Sequence, residues 1–345
     1  MAVADGAVPR LMAAGVLAAA DVVGRGVVVT DASRANAVAI ARVRGGGGAV
    51  LKTLPAPQLA AELAVHEYAT TRPGLRRALP ALLAAEPTDG WLALELVQPG
   101  TTLTDAHRAA LGYPPELGQV VGRALGGAHH ATHDLAGAAP VPLPWPFFAL
   151  DTEGPAAFAW DEAPLRAVLE AAPEPERRHA ALTAARAAWR PDCLVHTDLK
   201  WDNCLLDGKG ARIIDWEGAG AGDPAWDVAG IIQEYLGYAG LMGVDLAGRR
   251  PLAAVEIAAL EPLAAALRAF FAAYVEAAAP AQPAALARRA VRYAGVRLVQ
   301  TSLEHATGGR PARVVSASAL ADLAWAMIDD PGAVSQRLRL SEAQP

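Results

Sequence analysis

Asparagine and lysine are nearly missing from this chain of 345 residues. There are two Asn, Asn36 and Asn203, and three Lys, Lys52, Lys200 and Lys209, so 27 of the 30 basic residues are Arg. Cysteine is equally scarce. Cys193 and Cys204 make neither a C-x-x-C pair nor a disulfide framework, which suits a reducing, cytoplasmic setting. Both read as small apolar residues of buried strands. No strictly apolar run reaches the roughly 18 residues of a membrane span. Positive charge is not in excess either. A net charge of −6 gives no electrostatic reason to bind nucleic acid or an anionic membrane. Ala, Gly, Pro and Arg are abundant, so a scattered Ala or Arg carries little information.

In so biased a composition the rare residues stand out, and several fall in one stretch, Leu194 to Glu217 (LVHTDLKWDNCLLDGKGARIIDWE). It reads as a strand, a polar loop and a second strand, with a turn at Asp207-Gly208-Lys209-Gly210. Asp198 precedes Asn203 by five residues, and Asp215 follows twelve later. One acid is available to receive or orient a proton. The other acid and the amide are hard oxygen ligands of the sort Mg²⁺ takes beside phosphate oxygens. This is the order of groups in phosphoryl transfer.

HTDLKWDN resembles the H-x-D-x-x-x-x-N catalytic loop of the aminoglycoside phosphotransferase and choline kinase family, relatives of protein kinases. IIDWE resembles that family's metal-binding Asp segment. DPAWDVA, Asp223 to Ala229, is similar to the run that follows it. One departure is Thr197, where the family usually has Gly. The resemblance implies an α+β, bilobal, protein-kinase-like fold, with a small β-rich N-lobe over residues 1–95 and a larger, mostly helical C-lobe over residues 96–345. It implies transfer of the ATP γ-phosphate to an acceptor hydroxyl. Asp198 would act on the hydroxyl, Asn203 and Asp215 would hold Mg²⁺, and Lys200 would neutralise the transferring phosphate. Asp227 would hydrogen-bond the catalytic-loop backbone.

The N-terminal third fits that expectation. Leu11 to Ala20 mimics the apolar part of a signal peptide, but the preceding basic region is poor, and residues 8 to 20 read as an amphipathic helix. Val27–Thr30 and Ala37–Val43 are strand-like around a polar loop. By resemblance, that loop supplies Ser33, Arg34 and Asn36 as phosphate contacts. Gly45–Gly48 matches neither a P-loop nor a G-x-G-x-x-G context and reads as a hairpin. Lys52, in the following strand, would hold the α- and β-phosphates. Glu62 is the preferred ion-pair partner on the Leu59–Ala69 helix, with Glu67 in reserve. Backbone groups from Glu95 to Val97 would meet adenine.

Pro115 to Asp134 reads as a helix bearing His129, His130 and His133, without the Glu of an H-E-x-x-H zinc motif. Two further helices are expected near 162–171 and 175–190, and helices from Leu252 to about 328, broken at Pro280/Pro283 and Gly308-Gly309. Gly218–Gly222 is G-x-G-x-G cut off by Asp223-Pro224, not a dinucleotide fingerprint. Three functional readings stay open. The acceptor is a small-molecule or antibiotic hydroxyl. Alternatively, it is a Ser/Thr of a precursor peptide in a lanthipeptide-type pathway with a partner protein, as implied by the D-x-K at Lys200, which resembles that of Ser/Thr protein kinases. In the third, the chain is a catalytically silent nucleotide-binding pseudokinase.

Overall fold

The computed structural model describes residues 3–135, 140–148, 163–241, 254–307 and 311–340. A β-rich N-terminal part precedes a larger helical part, the bilobal kinase-like arrangement. Helix α1 (Val3–Ala13) comes first, then strands β1 (Val27–Asp31), β2 (Ala37–Val43) and β3 (Gly48–Thr53). Helices α2 (Ala56–Thr71) and α3 (Pro73–Arg77) follow, then β4 (Leu82–Glu86) and β5 (Trp91–Glu95). The five strands form an antiparallel sheet in the order β1-β2-β3-β5-β4. Central β3 lies between two neighbours, so Lys52 is not on an edge. Alternation along β2 puts Ala39, Ala41 and Val43 inward, where they meet Ala7, Leu11, Leu17, Leu51 and Trp91. The first helix starts earlier and stops sooner than residues 8–20. Gly15, at φ +71°, lets the chain turn back, and the amides of Ala14 and Val16 bond the carbonyls of Arg10 and Leu11.

Strand β6 (Thr101–Thr102) leads to α4 (Leu103–Ala110), α5 (Pro115–Ala131), α6 (Ala163–Glu170) and α7 (Pro175–Ala187). The stretch around Leu194–Glu217 and the glycines after it contribute β7 (Cys193–Val195), β8 (Cys204–Leu206), β9 (Ala211–Ile213) and β10 (Gly220–Gly222). Helices α8 (Pro224–Leu241), α9 (Ala254–Ala278), α10 (Pro283–Thr307), α11 (Pro311–Asp329) and α12 (Pro331–Arg337) complete the fold. The break expected at Gly308-Gly309 lies outside the described residues. Pro262 sits within α9, while α10 starts at Pro283, as a proline start favours.

One large core joins α5 and α8–α12 and also takes Val65, Ala69, Leu75 and Leu79 from α2, α3 and the turn after them. Burying each large aliphatic or aromatic side chain there contributes roughly 1.5–3 kcal/mol. Gly118, Gly122 and Gly126 form a stripe on α5. A Cβ at any of them would collide with the α9 backbone. Their absence of side chain lets the two helices close together, bringing His129 within 2.9 Å of the Tyr274 hydroxyl.

Candidate active site

Two backbone positions set the shape of the site. Thr197 has φ +72° and Asp215 φ +66°, both in the left-handed region that β-branched residues disfavour. A glycine would adopt the Thr197 conformation without strain. Threonine is held there by its surroundings. Its N–H donates to Asp227 Oδ1 (3.0 Å), its hydroxyl donates to the Gly218 carbonyl (3.1 Å), and its own carbonyl accepts from Trp226 Nε1 (2.7 Å). Asp227 is fully buried and also accepts from the His196 N–H (2.6 Å) and His129 Nε2 (3.2 Å). Burial alone would raise its pKa, but these donors more than offset it and hold the carboxyl below the usual range. The expected backbone role of Asp227 is thus present in its hydrogen bonds. His129 serves it from behind, with its other ring nitrogen on Tyr274.

His196 is wholly buried against Trp216. Its Nε2 donates to the Ile214 carbonyl (2.7 Å), which leaves Nδ1 to accept from the Asp198 N–H (3.3 Å). The ring therefore ties the loop at Asp198 to the residue before Asp215. Asn203 makes a second tie. Its Nδ2 donates to the Asp198 carbonyl (2.9 Å), and its backbone carbonyl accepts from Ile214 N–H (3.0 Å). With Nδ2 so engaged, the amide oxygen remains a free hard donor. The Asp198 carboxylate is 64% exposed and meets Lys200 Nζ at 2.7 Å.

On the sheet side, Lys52 Nζ contacts Glu62 (2.7 Å), Asp215 (2.9 Å) and Glu217 (3.7 Å). Glu62, not the exposed Glu67, is the partner on α2. Burial by itself would depress the Lys52 ammonium, but Glu62 and Asp215 more than offset it and its pKa is raised. Burial pushes the Glu62 carboxyl up, against the pull of Lys52. The 2.7 Å contact between them is that of an ion pair. His66, beside them, is pushed down to about 4 by burial and by Lys52, and stays neutral.

The β1–β2 loop reaches across to this centre. Asn36 Nδ2 donates to both oxygens of Glu217 (2.7 and 2.8 Å), and the exposed Arg34 lies 3.7 Å from Asp202. Ser33 differs. Its hydroxyl and N–H close the hairpin itself through Val38 and Asp31. At the edge expected to meet adenine, Glu95 N–H is committed to the Ala81 carbonyl and Leu96 N–H to the Gly48 carbonyl. Of these three, Val97 N–H has no partner among the described residues.

A cavity of about 690 Å³ opens beside the loop. His107, Tyr113, Trp201, Gln233, Glu234 and Thr301 are among its walls. Trp201, His107 and Tyr235 pack in tilted and edge-to-face contacts, with ring centroids 4.8–5.5 Å apart. His107 bridges the Gly112 carbonyl and the Tyr235 hydroxyl, and burial lowers its pKa, so it is neutral. Among the described lining residues Glu234 is the only carboxylate. Burial raises its pKa to about 7, with Arg297 opposing and Asp202 adding. Cys193 and Cys204 are buried and free, and burial raises both thiols further.

Sequence reasoning missed Glu217, Glu234 and Arg297. Glu217 was within reach, since it ends the IIDWE segment. Glu234 and Arg297 carry no local motif.

A model of the phosphotransferase enzyme family matches residues 32–286. The chain belongs to this family. It is a phosphotransferase that acts on hydroxyl acceptors. No curated protein matches it. Solved structures do, at low identity. A choline/ethanolamine kinase family protein from Mesorhizobium loti is 18% identical, with a TM-score of 0.56 over 99% of both chains. An aminoglycoside phosphotransferase from Alicyclobacillus acidocaldarius is 13% identical, with a TM-score of 0.56 over 90% of this chain and 92% of that one. A macrolide 2′-phosphotransferase from Brachybacterium faecium is 18% identical, with a TM-score of 0.50 over 91% and 97%. These likenesses carry the kinase-like fold to this phosphotransferase. Among its described residues no helix is long and apolar enough to cross a membrane.

Proposed function

We propose that this phosphotransferase moves the γ-phosphate of ATP to the hydroxyl of a small molecule that also carries an amine. Residues 1–95 form the nucleotide-binding lobe and residues 96–345 supply the catalytic loop and the acceptor cavity. Asp198 accepts or orients the acceptor proton. Lys200 offsets charge on the transferring phosphoryl group. Lys52, steadied by Glu62, holds the α/β-phosphates, and the Ser33–Asn36 loop covers them. The Glu95–Val97 edge, through Val97 above all, meets adenine. The Asn203 amide oxygen and the Asp215 carboxylate are hard donors joined through the Asn203–Ile214 bond, a pair that fits Mg²⁺ completed by phosphate oxygens. Bound there, the ion would neutralise the polyphosphate.

The observation that carries this reading is Lys52, which touches Glu62 at 2.7 Å and Asp215 at 2.9 Å. It joins the phosphate side of the site to the segment that Asn203 and His196 tie to Asp198. Positioning and charge neutralisation then supply most of the rate. The acceptor class is supported by the aromatic cavity with Glu234 as its carboxylate, a combination that suits an ammonium. The names of two structural neighbours, a choline/ethanolamine kinase family protein and an aminoglycoside phosphotransferase, agree with it. The test is mass spectrometry of product after incubation with MgATP and a panel of amino alcohols, aminoglycosides, neutral sugars and Ser/Thr peptides. Phosphorylation confined to amine-bearing hydroxyl compounds is expected. Phosphorylation of peptides alone would replace the small molecule with the precursor-peptide reading.

A further inference from the structure

Helix α10 delivers one side chain to the catalytic loop from within the core. Arg297 is 7% exposed. Its Nε donates to Gln233 Oε1 (3.1 Å), Nη1 to the Thr197 carbonyl (3.1 Å) and Nη2 to the Leu199 carbonyl (3.0 Å). The guanidinium lies over the Trp226 ring at 5.1 Å, and Nη2 is 3.9 Å from Asp198 Oδ1. Thr197 and Leu199 are the two neighbours of Asp198 in the chain. Both carbonyls that flank the acid are thus held by one rigid fork.

Packing alone does not call for this residue. A buried guanidinium loses its hydration, and burial lowers the Arg297 pKa despite the surrounding carboxylates. A Leu or Met would fill the volume without that cost. The opposite wall is shaped to admit the arrangement. A Cβ at Gly230 on α8 would collide with the Leu199 carbonyl and lie 3.4 Å from Arg297 Cζ. The Thr197 carbonyl accepts from both Arg297 and Trp226, so the left-handed turn before Asp198 is fixed from two directions.

We infer that Arg297 is a positioning residue for phosphoryl transfer, clamping the carbonyls on either side of Asp198 and so aiming its carboxylate at the acceptor. The inference rests on the proposed role of Asp198. Trp226 assists by fixing the same Thr197 carbonyl.

The test uses the full chain with R297K, R297A, W226F and D198N. Melting temperature, MgATP affinity and ADP formation are measured, first with water as the acceptor and then with kanamycin as a hydroxyl probe. A misaimed carboxylate predicts a loss of turnover of about 100-fold in R297K and about 10-fold in W226F, with MgATP affinity within about threefold of wild type. Millimolar guanidinium should restore part of the R297A turnover. Should D198N be silent while R297K and W226F both keep turnover within about threefold of wild type, Arg297 is ordinary core and the inference fails alone. A fall in turnover only in parallel with MgATP affinity and melting temperature would overturn it in the same way. An active D198N would instead remove the proposed role of Asp198, and the inference with it.

Discussion

Replacing Lys52 with Met strands a carboxylate in the core. Lys52 and Glu62 side chains are 4% and 1% exposed. Removing one partner of a buried pair typically costs about 3–5 kcal/mol, because the other charge is left without compensation. Glu62 in K52M can escape by taking up a proton. Its pKa is already raised by burial, and Lys52 is the main opposing influence. Without Lys52, burial and the charges of Asp215 and Glu217 act unopposed. The folded carboxyl then titrates above its unfolded value. A group of that kind contributes stability that is complete below the unfolded pKa and is lost as pH rises through the folded one. K52M should therefore be least impaired near pH 5 and lose up to about 1.4 kcal/mol per pH unit until Glu62 ionises. The raised Lys52 pKa affects wild type only in the alkaline range, outside this window. Urea unfolding of wild type, K52M and K52M/E62M from about pH 5 to pH 8 measures the effect. The double variant should recover most of the loss and be nearly pH-independent relative to wild type. A K52M protein within about 1 kcal/mol of wild type at every pH would refute the buried pair.

Three more outcomes follow from the same geometry. T197G should relieve the left-handed strain while losing one exposed hydroxyl contact, a net gain of about 1 kcal/mol read by urea midpoint. With an amine-bearing acceptor, KM should fall as pH rises through about 7, where Glu234 gains its charge. Arg297, Asp202, Lys200 and Asp198 act on that titration, and E234Q should flatten the profile and raise KM. D215N should weaken MgATP binding, measured by titration with and without Mg²⁺, and leave the melting temperature of the nucleotide-free protein within a few degrees of wild type, because Asp215 is 45% exposed.

How much of this could be read in advance depended on distance along the chain. Asp198, Asn203 and Asp215 fall within 18 residues, on a strand–loop–strand segment whose ties are local, so their grouping was legible. Lys52 and Glu62 were readable because a rare Lys in a strand precedes a helix with two Glu, and their spacing, which turns them about 140° apart around the helix, decided which one is buried. The Asn36–Glu217 bond spans 181 positions and has no sequence signature. Arg297 is one of 27 Arg in an Arg-rich chain and meets the loop only through the packing of α8 and α10. The short α3 and α12 escaped notice because a helix of five or seven residues has too few turns to show periodicity. The first helix was drawn too far because an apolar run from Leu11 to Ala20 conceals Gly15, whose positive φ ends it.

In the proposed mechanism Asp198 serves a hydroxyl while the Lys52 side of the site serves the nucleotide. The most direct measurement pairs wild type with D198N on the acceptor panel, recording product mass and MgATP affinity in the same preparations. Wild type should add one phosphoryl group to an amine-bearing hydroxyl compound, while D198N should bind MgATP with unchanged affinity and add none. A D198N protein that retains more than about a tenth of wild-type turnover would contradict it.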